Sequence, residues 1–242
     1  MNHENIMRTR LNKERLTDYE VDQLYNIVQI TAQILEETQI KYTIQGGTLL
    51  GAVRNGGLIP HDNDADFDVL ETDLPKIREL KSLFERHELV LVEVPGWGMQ
   101  VSYNDSLELA PGLWTDGENS WTSKWPFLDL ISIQFDDMTE TYILAQIVAR
   151  ADYPDYHLTR EEWETPFEKI QFGHLWLNVI ATNAARVNYL NRNYPHWNER
   201  LHMIMDHRAN VYFDEPIECP IRDDDRKHRP HSLYLNDSSC AN

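Results

Sequence analysis

The chain predicts a mixed α/β domain, α+β in its ordering, with a β-sheet flanked by helices. Three observations carry this. Helical and strand-like periodicities interleave along the sequence instead of separating into blocks. Hydrophobic residues make up 41% of the 242 residues and aromatics 10%, enough for a core and too many for global disorder. The length suits one domain with short extensions, and no internal repeat is visible. The expected division is a polar N-terminal arm at 1–16, one domain at 17–213, and a polar, Pro-punctuated C-terminal tail at 214–242 that is only partly ordered.

The elements follow in order. Thr17-Asp18-Tyr19-Glu20 reads as a capping box, and Val21, Leu24, Tyr25, Val28, Ala32 and Leu35 continue at helical spacing, so a helix is expected over 18–38. Ile40 to Gln45 is a short β-prone run ending at Gly46-Gly47, and Thr48 to Arg54 a short helix closed by Asn55-Gly56-Gly57. His61 to Leu70 alternates like a strand. Asp73 is expected to cap a helix with Ile77, Leu80 and Phe84 on its apolar face. Leu89 to Val94 and Met99 to Tyr103 read as strands around the turn Pro95-Gly96-Trp97-Gly98. Residues 104–124 read as a long loop, Phe127 to Phe135 as a strand, and 138–158 take no assignment. Thr159-Arg160-Glu161-Glu162 caps a short helix. A hairpin turns at Gly173, and Ala181 to Tyr194 forms the last helix.

Charge narrows the partners. Lys and Arg number 22 against 40 Asp and Glu, giving −18 and an isoelectric point near 4.8. That argues against nucleic acid, whose backbone is bound by Lys and Arg. It leaves room for a small phosphorylated ligand, because a divalent cation can stand between acidic protein and acidic ligand. Met1 to Glu20 has no apolar signal region, and no stretch approaches the ~18 apolar residues of a membrane span, so a cytoplasmic location is expected. Cys219 and Cys240 do not suggest a disulfide framework.

The densest chemistry lies in His61-Asp62-Asn63-Asp64-Ala65-Asp66-Phe67-Asp68. In a strand, Asp62, Asp64, Asp66 and Asp68 share one face while Ala65, Phe67 and Val69 face a core. Carboxylates this close share protons or gather a cation. Oxygen ligands of this kind favour Mg²⁺ or Mn²⁺. Three readings stay open from the run alone: a catalytic Asp64-x-Asp66 metal pair, a calcium loop, and a solvated acidic loop. The calcium loop is opposed by Phe67, which stands where the turn glycine is needed. Upstream, Gly46 and Gly47 lie between a strand and a helix, where backbone N–H groups and a helix N-terminus can meet a phosphate.

The ordered stretch Gly46-Gly47-Thr48-Leu49-Leu50-Gly51-Ala52-Val53-Arg54, then Gly57-Leu58-Ile59-Pro60, then Asp62-Asn63-Asp64-Ala65-Asp66 resembles the LicD / fukutin-related family. That family is a branch of the nucleotidyltransferase-fold superfamily. The likeness extends over about residues 20–200, with Pro166-Phe167-Glu168, Tyr189-Leu190 and Tyr194-Pro195 as looser matches. His61, Asn63 and Pro195 depart from the family's usual Trp, Asp and Gly.

The resemblance implies a nucleotidyltransferase-like mixed sheet and transfer of a phosphorylated alcohol, such as phosphocholine or ribitol phosphate. The donor would be linked to a nucleoside diphosphate, CDP above all, and the acceptor would be a hydroxyl of a glycan or another molecule. It implies that Asp64 and Asp66 bind the metal and that Gly46, Gly47 and Thr48 face phosphate. Arg54 would meet a phosphate, and Asp129, from a later strand, would supply the third carboxylate as ligand or base. The alternative is a non-catalytic binding protein that keeps the fold and the nucleotide or metal site. Trp114 and Trp121, in the long loop, are the tryptophans expected to touch an acceptor. The His and Cys residues of the C-terminal part match no zinc-finger spacing.

Overall fold

The structure is a computed structural model and describes residues 3–13, 15–109, 124–206 and 211–235. Its helices are α1 (His3–Lys13), α2 (Asp18–Glu37), α3 (Gly46–Arg54), α4 (Leu74–Glu79), α5 (Lys81–Glu85), α6 (Ile147–Asp152), α7 (Arg160–Glu164) and α8 (Asn183–Asn193). Its strands are β1 (Tyr42–Ile44), β2 (Ala65–Leu70), β3 (Leu89–Val94), β4 (Gly98–Glu108), β5 (Lys124–Asp136), β6 (Thr141–Leu144), β7 (Leu158–Thr159), β8 (Glu168–Phe172), β9 (Leu175–Val179), β10 (Arg200–Asp206) and β11 (Val211–Pro220).

The main sheet runs β1-β2-β5-β4-β3, with β6 and β7 continuing from β5. β2 and β5 are parallel and the other pairs antiparallel, so the sheet is mixed as predicted. β5 pairs on both sides and is buried from Trp125 to Ile133, which is why it reads as a continuous apolar run. Helix α2 lays Val21, Leu24, Tyr25, Val28 and Leu35 into the same core. Its start is the expected box: Thr17 Oγ1 accepts from Glu20 N–H at 3.2 Å, and Glu20 accepts from Thr17 N–H at 2.6 Å. The hairpin β8–β9 turns at Gly173, whose φ of +61° and close approach to the Tyr25 ring both require a residue without Cβ.

Several expectations change. The helix expected from Thr48 already begins at Gly46. Asp73 makes no side-chain cap, and the helix after it breaks into α4 and α5 at Leu80, although Ile77, Leu80 and Phe84 are buried as its spacing implied. The strand of 61–70 shortens to Ala65–Leu70, so Asp62 and Asp64 precede it. β4 runs on to Glu108, into what read as loop. The unassigned 138–158 holds β6 and α6.

The termini join. α1 packs Met7 and Leu11 against Leu201, Ile217 and Cys219 of the two-stranded β10–β11 sheet, a small second core. Residues 214–235, which the sequence reading gave to a tail, finish β11 and then dock on the domain. Tyr25 donates to the Arg229 carbonyl at 2.7 Å, and Asn55 Nδ2 to the Asp225 carbonyl at 2.7 Å. Backbone hydrogen bonding holds this segment where its polar composition suggested none. Among the described residues no helix is long and apolar enough to cross a membrane.

Candidate active site

The site is written in the register of three strands. Asp66 on β2 stands directly opposite Asp129 on β5, and Asp129 directly opposite Gln100 on β4. Neighbouring strands lie about 4.8 Å apart, so all three side chains form a row on one sheet face. Asp68 follows Asp66 on that face, and Asp64 enters from the residue before the strand.

Helix α3 is fitted against this row by its glycines. A Cβ on Gly46 would lie 2.6 Å from Asp66 Oδ2, and Gly46 has a φ of +57°. A Cβ on Gly47 would lie 2.4 Å from Asp62 Oδ2. The glycines therefore let two carboxylates approach the helix start, which carries partial positive charge. Thr48 is buried, and its Oγ1 accepts the Asp66 backbone N–H at 2.9 Å. Its hydroxyl therefore ties α3 to β2, rather than simply facing a ligand. The Gly46 N–H donates to Tyr189 Oη at 3.4 Å, and Tyr189 donates to Gln45 Oε1 at 3.2 Å. Helix α8 thereby backs the glycine turn.

Burial sets the electrostatics. It raises Asp129 to about 7, against the hydrogen bonds from Gln100 and Trp97 that pull it down. Burial, with Asp129 beside it, pushes Asp64 up. Asp66 is driven further up by burial and by the charges of Asp64, Asp129, Asp62 and Asp68. Burial raises Asp68 to about 8, and its Oδ2 takes the Tyr156 hydroxyl. Ionising the whole cluster is therefore costly unless a cation balances it.

Asp64, Asp66 and Asp129 open on a cleft of about 630 Å³ that also takes in Arg54, Tyr153, Tyr194 and residues of β10. Arg54 is fixed by Nε to Asn55 Oδ1 at 2.9 Å and Nη1 to the Trp197 carbonyl at 2.8 Å. Burial lowers its pKa to about 10, opposed by Asp62. All seven predicted site residues are thus gathered: Asp64, Asp66, Asp129, Gly46, Gly47 and Arg54 line the cleft, and Thr48 braces it.

Among the described residues no group of three or more His, Cys, Asp or Glu is arranged to hold a metal ion. Asp64, Asp66 and Asp129 instead line one cleft. An all-carboxylate set that resists ionising alone is of the kind that suits a hard divalent cation completing its shell with water and substrate oxygens, which is how Mg²⁺ is commonly held. Cys219 is buried in the small second core and is no candidate ligand. Trp114 and Trp121 lie outside the described residues.

Sequence reasoning missed Trp97, Gln100, Tyr156 and Tyr189. Trp97 Nε1 donates to Asp129 Oδ2 at 3.0 Å and Gln100 Nε2 to Asp129 Oδ1 at 2.9 Å. The alternation of β4 against β5 is the one signal that could have found Gln100.

Comparison with known proteins gives the chain its relatives. A family model described as LicD/FKTN/FKRP, nucleotidyltransferase domain, matches residues 39–179. An uncharacterized protein of Rickettsia prowazekii is 26% identical over 209 residues, 86% of this chain and 68% of that protein. One of Rickettsia typhi is 24% identical over 86% of this chain and 57% of its own length. The human ribitol 5-phosphate transferase FKRP is 32% identical over 87 residues, which span 34% of this chain and only 18% of the human protein. Among solved structures, the lincosamide antibiotic adenylyltransferase LnuA, lincomycin-bound, aligns with a TM-score of 0.37 at 14% identity, over 74% of this chain and 98% of that one. The match over 39–179 covers more than half of the chain and contains Asp64, Asp66, Asp129 and the glycine turn, so the chain belongs to the LicD/FKTN/FKRP nucleotidyltransferase-domain family.

Proposed function

We infer that this protein is a metal-dependent transferase. It moves a phospho-alcohol group, of phosphocholine or ribitol-phosphate type, from a CDP-linked or other nucleoside-diphosphate donor to a hydroxyl of a glycan or similar acceptor. The observation that carries the reading is the pairing of Asp66 with Asp129 across parallel strands, with Asp64 beside them and Arg54 in the same cleft. The partial similarity to a ribitol 5-phosphate transferase supports the phospho-alcohol class.

Asp64, Asp66 and Asp129 would hold Mg²⁺ or Mn²⁺, which when bound neutralises charge on the pyrophosphate. The chain's own residues do the rest. Arg54 offers guanidinium donors to non-bridging oxygens, and the start of α3 adds its dipole. Asp129 completes the metal site as a ligand, or takes the proton of the attacking hydroxyl as a general base. The acceptor oxygen–phosphorus bond forms as the phosphorus–oxygen bond to the nucleoside monophosphate breaks. Such chemistry depends mostly on positioning and charge neutralisation.

The test is titration of the full chain with CDP-ribitol, CDP-choline and other nucleoside-diphosphate conjugates, with and without Mn²⁺. It is then repeated with Asp64→Asn/Asp66→Asn. Metal-dependent binding that the double variant abolishes, with product formed on a hydroxyl acceptor, is the expected result. Binding indifferent to both metal and substitution would end the metal-site reading. Metal-dependent binding with no product on any acceptor would favour the non-catalytic binding protein.

A further inference from the structure

The geometry points to Trp97 and Gln100 as the positioning residues that aim Asp129, an inference that rests on the transferase reading above. Each oxygen of Asp129 takes one of their donors, Oδ1 from Gln100 and Oδ2 from Trp97. Two donors on two oxygens fix the plane of a carboxylate and leave it further acceptor capacity for a cation or a proton.

Both donors are neutral. An arginine or lysine in either place would balance the charge of Asp129 and pull its pKa down. Amide and indole N–H groups direct the carboxylate without cancelling the charge on which a cation site depends. Asp129 is itself only 9% exposed, and among the described residues no cation is one of its side-chain partners.

The local fold is arranged to deliver both groups. Gln100 is 3% exposed and faces Asp129 by strand register, so its reach needs no loop. Trp97 comes from the Pro95-Gly96-Trp97-Gly98 turn, where its N–H donates to the Val94 carbonyl at 3.1 Å. Its own carbonyl accepts from the Ser132 N–H and hydroxyl, both at 3.3 Å. A Cβ at Gly98 would meet the Leu130 carbonyl oxygen at 2.1 Å, so only glycine lets the turn lie this close to β5. The indole also packs on Tyr153, a cleft residue, with ring centroids 5.7 Å apart.

The test is a double-mutant cycle on Mn²⁺ affinity in the full chain. Trp97→Phe keeps a ring against Tyr153, and Gln100→Met keeps volume, while each removes one donor. Residues that orient metal ligands typically contribute 10- to 100-fold in affinity. Each variant should therefore weaken Mn²⁺ by about tenfold, and by less than twofold when Asp129 is already Asn, because coupled sites are not additive. Equal losses in both backgrounds would overturn the proposal. A second measurement needs no metal: the Trp97 indole N–H, assigned by its loss in Trp97→Phe, should exchange with solvent at least tenfold faster in Asp129→Ala. Unchanged exchange would overturn the proposal while leaving the transferase reading intact. A parent chain that binds no Mn²⁺ would instead end the metal reading, with the indole result still deciding the geometry.

Discussion

The hydroxyl oxygen of Thr48 accepts the backbone N–H of Asp66 at 2.9 Å, joining the first turn of α3 to the strand that carries the carboxylates. Thr48→Val keeps the shape and leaves that N–H without its acceptor. A buried donor left unsatisfied costs about 1–3 kcal/mol, so urea unfolding of Thr48→Val should show a loss in that range, with Thr48→Ser close to the parent. Equal losses in the two variants would show that packing of the methyl group, not the hydrogen bond, matters.

Gly46 and Gly47 should differ. Gly46→Ala places a Cβ against Asp66 and forces a side chain into a left-handed backbone, a cost of about 1 kcal/mol from the backbone alone. Gly47→Ala meets only the end of Asp62, which can swing aside. We expect Gly46→Ala to lose most Mn²⁺ affinity and several degrees of Tm, and Gly47→Ala to lose less of both. Calorimetric titration and thermal melts on the same samples decide it.

How much of this was legible in the sequence depends on distance along the chain. Helix α2 announces itself because its cap and its apolar spacing are local. The glycine turn and Asp64-x-Asp66 are also contiguous, with only a short connection between them. Asp129 needed the family resemblance, since nothing local marks it. Gln100 and Trp97 act through antiparallel register, which no short window encodes. β11 was misread for a related reason. Its inward residues, Ile217 and Cys219, have a core to enter only because α1 comes back from the other end of the chain. Thr48 was found as a site residue, but its bond to Asp66 was not foreseen, because its partner is a backbone group 18 positions away.

Stability should depend on pH with a defined sign. Asp129, near 7, and Asp68, near 8, are raised above the ~4 of an unfolded aspartate. A raised folded pKa gives stability that is present below the unfolded value and lost as pH climbs through the folded one. Buried His61 and half-buried His174, both lowered to about 4, act oppositely between about 4 and 6.5. The carboxylates therefore dominate from about pH 6.5 to 8, where chelator-treated protein should lose stability as pH rises. Mn²⁺ should reverse the slope, because the metal binds the deprotonated form. Urea midpoints at pH 6.5 and 8, with EDTA and with Mn²⁺, measure this, and Asp129→Asn should flatten both slopes.

Tyr156 gives its hydroxyl hydrogen to Asp68 Oδ2, while Asp68 Oδ1 has no hydrogen-bond partner among the described residues. Tyr156→Phe would strip the buried carboxyl of this bond and should cost about 1–3 kcal/mol. Asp68→Asn/Tyr156→Phe should cost less than the sum of its parts, since the two substitutions remove the same bond. Additive unfolding energies would argue against coupling.

Arg54 tests whether the cleft receives an anion. Its hydrogen-bond partners among the described residues are neutral, the Asn55 side-chain oxygen and the Trp197 carbonyl, and among those residues it makes no ion pair within salt-bridge distance. A buried guanidinium hydrogen-bonded only to neutral groups is incompletely balanced, and burial lowers its pKa to about 10 although Asp62 and Asp225 act against that shift. A phosphate arriving in the cleft would balance that charge. Hydrogen bonds to charged groups contribute about 1.5–3 kcal/mol, so Arg54→Met should weaken donor binding by roughly 10- to 150-fold. Arg54→Lys should recover only part of it, because an ammonium cannot reproduce the planar fork. Mn²⁺ affinity without donor should hold or rise in Arg54→Met, since a positive charge near the carboxylates has been removed. Weakened donor binding with intact metal binding would place Arg54 on the phosphate; a parallel loss of both would make it a structural brace between α3 and Trp197.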